Sequence, residues 1–137
     1  MKVLVDTPIW SYALRSQKVG FENHVEILKN LIQDQRVLII GPIRQEVLSG
    51  YSDLNRFNLL KGNLDAFQNT AVIDDDYIQA ALFSNLCRKK GIQGSHIDFL
   101  ICAIAVRLGA EIFTSDKDFD LYRQHLPINL FSFRLIN

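Results

Sequence analysis

Four carboxylates carry the chemistry open to this sequence: Asp6, Glu46, Asp98 and Asp116. Asp6 ends the apolar run Val3-Leu4-Val5 and precedes Thr7-Pro8, while Asp116 follows Ile112-Phe113-Thr114-Ser115 and precedes a helical stretch. Each suits a helix N-cap, where a side-chain oxygen takes an unpaired amide. Two such acids at the carboxyl ends of different strands also point to one edge of a sheet. Asp98 is the most informative of the four. On a helical wheel it shares a stripe of small residues with Cys102, Ala105 and Gly109, and the rest of its helix is apolar nearly all round, the mark of a buried helix. Ser95-His96-Ile97-Asp98 fits a capping box. A buried ionised carboxylate still costs several kcal/mol unless it is paired, hydrogen-bonded or metal-bound. The only base in that helix, Arg107, lies more than two turns away. Glu46 falls beside Ile43, Val47 and Gly50, at the edge of an apolar face rather than opposite it, and alone it reads as a boundary residue.

Together these acids come from separate segments that a doubly wound sheet brings to one place. Carboxylates crowded in a pocket repel one another and resist ionising. A divalent cation resolves that conflict, and an all-oxygen site suits Mg²⁺ or Mn²⁺ rather than zinc. Such an ion activates water and neutralises charge on a phosphoryl group, so the chemistry implied is phosphodiester hydrolysis. No Ser/His/Asp or Cys/His arrangement competes, and His24, His96 and His125 have no ligand spacing.

The elements that must position these residues alternate. Strand-like runs cover residues 2–6, 37–40, 70–73, 111–114 and 128–131. Helical patterns cover 8–15, 22–34, 42–50, 53–67, 74–90, 97–108 and 117–125, with Pro8 at a helix start and Asp74-Asp75-Asp76 at a helix N-terminus. Strands alternating with helices predict an α/β fold, a parallel sheet covered on both faces. In such sheets ligands bind beyond the carboxyl ends of the strands, which selects Asp6 and Asp116.

A chain of 137 residues and 15.7 kDa is expected to form one domain, residues 1–137, with core enough to need no disulfide or structural metal. The 15 basic and 15 acidic residues balance, which argues against a strong generic grip on nucleic acid and leaves room for a local basic patch. Cys87 and Cys102 have no CxxC spacing, as in a reducing cytosol. The apolar stretch at the N-terminus is too short for a signal peptide. The run at 99–106 is far from the ~20 residues of a membrane helix. The expectation is a soluble cytoplasmic protein.

Those same residues resemble the PIN-domain family, and within it the VapC-type toxins of bacterial toxin–antitoxin pairs. Asp6-Thr7-Pro8-Ile9-Trp10 after a buried strand is similar to the family's opening motif, with Pro8 where Ser or Ala is commoner. The stretch 42–50 resembles the second acidic motif, 91–105 the segment with the third acid, and Thr114-Ser115-Asp116-Lys117-Asp118-Phe119 the fourth. The resemblance spans the chain with the motifs in order. It implies a three-layer α/β/α sandwich with a central parallel sheet of four or five strands, and Mg²⁺- or Mn²⁺-dependent cleavage of RNA, tRNA among the candidates. The metal-site acids carry over to Asp6, Glu46, Asp98 and Asp116. The first, third and fourth face the metal, and Glu46 helps orient water. Thr114 matches a small hydroxyl position near the metal and Asp118 an accessory acid. A homodimer and a cognate antitoxin with a basic side chain near the acids are also implied. Trp10, Tyr12 and Leu14 are candidate anchors for that partner, and ordinary core is at least as good a reading of them. Arg15, Lys18 and the Arg88-Lys89-Lys90 run are candidate phosphate contacts, though a solvated helix end is the better reading of that run.

Rival readings fail on specific residues. A receiver-type domain needs paired acids after the first strand and a lysine at the last, and a haloacid-dehalogenase-type phosphatase needs an aspartate where Pro8 stands. No P-loop motif occurs. A non-catalytic PIN-like interaction module is the remaining alternative.

Overall fold

The computed structural model describes residues 1–15 and 20–132. The chain begins with β1 (Val3–Val5), which is wholly buried, as a central parallel strand must be when both sheet faces are covered. It runs through Asp6 into α1 (Thr7–Leu14), whose first turn holds Pro8, where a missing N–H costs nothing. Next come α2 (Glu22–Gln33), β2 (Val37–Ile40), α3 (Gly41–Ser49), α4 (Leu54–Leu64) and β3 (Asn69–Thr70). The second half holds α5 (Asp74–Lys89), α6 (His96–Leu108), β4 (Glu111–Phe113) and α7 (Asp118–Arg123).

The four strands form one parallel sheet in the order β3-β2-β1-β4. From β1 the chain steps outward to β2 and β3, then doubles back across the sheet to β4 on the other side of β1. Right-handed crossovers require the reversed connection to lie on the opposite face. Helices α1 to α4 therefore cover one face and α5 and α6 the other, giving the expected α/β/α layers. The strand order reverses between β1 and β4, and that is where such sheets open a crevice beyond their carboxyl ends.

Two strand expectations are corrected. The third strand lies at Asn69–Thr70 rather than 70–73. Beyond it, side chains take over the backbone: Arg107 donates to the Ala71 carbonyl at 3.0 Å and the Ile73 amide donates to Asp76 at 2.9 Å. The expected last strand, 128–131, is a single parallel bridge, Ile112↔Leu130. Its rung is complete, with the Ile112 amide on the Asn129 carbonyl and the Phe131 amide on the Ile112 carbonyl.

Helix α6 runs through the core, with every residue from Phe99 to Ala105 buried, and α5 packs along it. Gly109 ends it in the left-handed region at φ 64°, where glycine avoids a Cβ penalty. At the same end Arg107 pairs with Asp76 at 2.7 Å, tying the last turn of α6 to the first of α5. On the other face Arg44 of α3 donates to the Leu64 and Phe67 carbonyls and to Asn69 Oδ1. That one guanidinium satisfies the exit of α4 and the entry to β3.

Candidate metal centre

Where β1 and β4 end, the ladder between them carries the Asp6 amide onto the Phe113 carbonyl at 2.9 Å. Asp6 then leaves the sheet and caps α1, its Oδ1 accepting from the Thr7 amide at 2.8 Å. Its other oxygen accepts from the Thr114 hydroxyl at 2.8 Å. That hydroxyl also accepts from the Asp116 amide at 3.0 Å, and Asp116 Oδ1 accepts from the Asp118 amide at 2.9 Å. One short loop after β4 thus fixes three acids relative to each other. The start of α6 supplies the fourth group. Ser95 caps the Asp98 amide at 3.1 Å, and the Asp98 carboxylate accepts from Tyr122 of α7 at 2.7 Å instead of closing a capping box. Carboxylate oxygens of Asp98, Asp116 and Asp118 come within 4.8 Å of one another, with Asp6 joined to them through Thr114.

Burial and mutual repulsion set the electrostatics. Asp6 is only 5% exposed, and desolvation pushes its pKa up to about 6. The hydrogen bonds from Thr114 and Thr7 pull it down, and the charges of Asp98 and Glu46 push it further up. The Asp98 carboxyl is likewise raised, first by burial, against the bonds from Tyr122 and Ser95, and then by Asp116 and Asp118. Burial and the nearby carboxylates push the Tyr122 phenol far up, so it acts as a neutral donor. Among the described residues, the charges that act most on Asp6 and Asp98 are other carboxylates. The Thr7 hydroxyl beside Asp6 is buried without a hydrogen-bond partner among the described residues. This donor set is all oxygen and anionic, and it fits a hard divalent cation.

Glu46 lies on α3, exposed, on the wall of a groove of about 680 Å³ that it shares with His96 and Ile97 at the start of α6. It stands apart from the cluster, and its charge reaches Asp6. Asp118, expected as an accessory acid, is one of the three whose oxygens converge, and Thr114 is the bridge between Asp6 and the loop. Arg15 is exposed at the far end of α1 from Asp6, its guanidinium 5.5 Å from the Tyr12 ring centre. Lys18 lies outside the described residues.

Trp10 is core rather than a partner anchor. It is buried, donates its indole N–H to the Val5 carbonyl at 3.2 Å and meets Phe67 edge-on. Tyr12 stacks on Phe21 and shares a 2.8 Å hydrogen bond with Ser115, and Leu14 is partly buried against the core. The Arg88-Lys89-Lys90 run is an exposed helix end. Sequence reasoning missed Tyr122, since Phe119 and Tyr122 at i and i+3 look like the buried face of a helix and nothing local signals a hydroxyl partner.

A family model described as PIN domain matches residues 3–124. Among curated proteins, a VapC ribonuclease of Mycobacterium bovis and ribonuclease VapC11 of Mycobacterium tuberculosis are each 32% identical over 135 residues, covering 96% of this chain and 99% of the relative. Among solved structures, FitAcB from Neisseria gonorrhoeae superposes with a TM-score of 0.77 at 20% identity, covering 95% of this chain and 96% of that one. VapBC2 from Rickettsia felis gives 0.76 at 15%, covering 98% and 100%. No helix among the described residues is long and apolar enough to cross a membrane.

Proposed function

The chain belongs to the PIN-domain family, and from that premise we propose that it is an endoribonuclease of VapC type. It hydrolyses RNA phosphodiester bonds with Mg²⁺ or Mn²⁺ held by Asp6, Asp98 and Asp116. The observation that carries this reading is the convergence of acids at the β1–β4 crevice, where burial and neighbouring carboxylates raise Asp6 and Asp98. When bound, a divalent ion supplies activation of water and neutralisation of charge at the phosphoryl group. The protein's own part is positioning. Thr114 holds Asp6 and the Asp116 backbone in one frame, Tyr122 orients Asp98, and Asp118 adds a further oxygen at the open side. Glu46, at the groove wall, orients the attacking water or accepts its proton. Arg15, at the far end of α1 from Asp6, contacts RNA phosphates away from the cut, and Lys18 is a second candidate for such contacts.

We further assign a cognate antitoxin as partner, one that places a basic side chain near the acids. A homodimer is supported by α5, which leaves Ile78, Leu82 and Leu86 exposed on one stripe with Tyr77 beside them. The test is incubation of the protein with a mixed tRNA and structured-RNA pool in Mg²⁺, in Mn²⁺ and in EDTA. Discrete cleavage that EDTA abolishes supports the reading. A protein that binds the metal and leaves every RNA intact is an interaction module instead.

A further inference from the structure

Asp98 has two carboxylate oxygens, and the fold has committed one of them. Tyr122 donates to Oδ2 at 2.7 Å from a ring with no solvent exposure. That ring is fixed between Phe99, at 4.9 Å between centroids, and Phe119, at 5.2 Å. The loop before α6 closes over the hydroxyl. A Cβ at Gly94 would fall inside van der Waals contact of the Tyr122 oxygen and 2.9 Å from Phe99 Cε2, so glycine is what lets the phenol reach its place. A hydroxyl gives one proton, and here it goes to Oδ2, so that one of the two oxygens is engaged from a separate element, α7.

We propose that Tyr122 is a positioning residue that holds Asp98 to ligation through a single oxygen, and that it thereby selects a small octahedral cation against Ca²⁺. This rests on the metal-centre reading above. Mg²⁺ and Mn²⁺ suit near-octahedral sites, and Mg²⁺ takes ligands at about 2.0–2.1 Å, whereas Ca²⁺ accepts more oxygens and readily chelates a carboxylate through both. With the hydroxyl gone, the Asp98 carboxylate is free to turn and offer both oxygens, and the restriction against Ca²⁺ lapses.

The experiment is calorimetric titration of wild type, Tyr122→Phe and Gly94→Ala with Mn²⁺ and, separately, with Ca²⁺. Melting in EDTA checks that each variant is folded. Phe keeps the packed ring and removes only the hydroxyl, while Ala at 94 displaces the hydroxyl from the other side. Loss of such an orienting partner weakens metal affinity by about 10- to 100-fold. In both variants Mn²⁺ affinity is expected to fall at least about tenfold while Ca²⁺ affinity holds or rises, so the preference moves toward Ca²⁺. Parallel loss of both affinities, or no change in either, overturns the proposal. Wild type that binds neither ion overturns the metal-centre reading itself, a result distinguishable because it needs no variant.

Discussion

Asp6 and Asp98 are held where their ionised forms are unfavourable, and the stability of the metal-free protein carries the sign of that arrangement. The Asp6 pKa stands at about 6 against an ordinary 3.8, so the folded state binds this proton more tightly than the unfolded chain. The stability it contributes is complete below about pH 4 and is lost as pH rises through 6. Two units correspond to about 3 kcal/mol, and Asp98 shifts in the same direction. In EDTA the protein is therefore expected to melt higher at pH 5 than at pH 7.5, and calorimetry that shows the reverse removes the account of burial. Asp6→Asn should flatten that dependence and raise the melting temperature at pH 7.5 without metal, while abolishing the rise that Mn²⁺ produces in wild type. The acids were legible in the sequence because a carboxylate at a strand end, or within an apolar helix, conflicts with burial and demands a reason. Tyr122 was not, because its hydrogen bond spans 24 positions and its spacing is that of a core residue. Trp10 could be read from α1 alone as core or as anchor, and only its partners Val5 and Phe67 decide for core.

At the scale of elements, Asp76 and Arg107 join the two helices that cover the second face of the sheet. Burial alone would push the Asp76 carboxyl up, but the Arg107 guanidinium and the Ile73 amide outweigh it and hold the pKa below its ordinary value. Its sign is opposite to that of Asp6: the stabilisation is present above the ordinary pKa and is lost as pH falls through the folded one. Removing one partner of a buried pair costs about 3–5 kcal/mol. The Arg107 side chain is partly solvated, which lowers the expectation for Arg107→Leu to about 2 kcal/mol by urea denaturation at pH 7. A loss below about 0.5 kcal/mol would make it an ordinary surface pair. The same guanidinium explains why the third strand stops early, since it takes the Ala71 carbonyl that a longer ladder would use. Helix existence and order followed from periodicity and from Pro8 and Gly109. Strand limits did not, because β3 and the Leu130 bridge depend on long-range side-chain and backbone partners.

Across the whole molecule, alternation of strands and helices was enough to give the layered sheet, and the reversal of strand order between β1 and β4 gathers acids from distant segments. Composition carried little, because a chain of balanced charge can still build an acidic crevice. The exposed α5 stripe belongs to this scale too. Wild type is expected to elute with light scattering at twice the 15.7 kDa chain mass, and Leu82→Glu at the chain mass with unchanged circular dichroism. A monomeric wild type would leave that stripe to another partner. The central claim, that the crevice acids form a metal-dependent nuclease site, is tested most directly by the RNA cleavage rate of Asp98→Asn against wild type at saturating Mn²⁺. Asparagine keeps the shape and removes the charge that holds the ion. The account predicts a loss of roughly a hundredfold or more, as expected when several kcal/mol of metal assistance go, in a variant that still folds. Cleavage at the wild-type rate would contradict it.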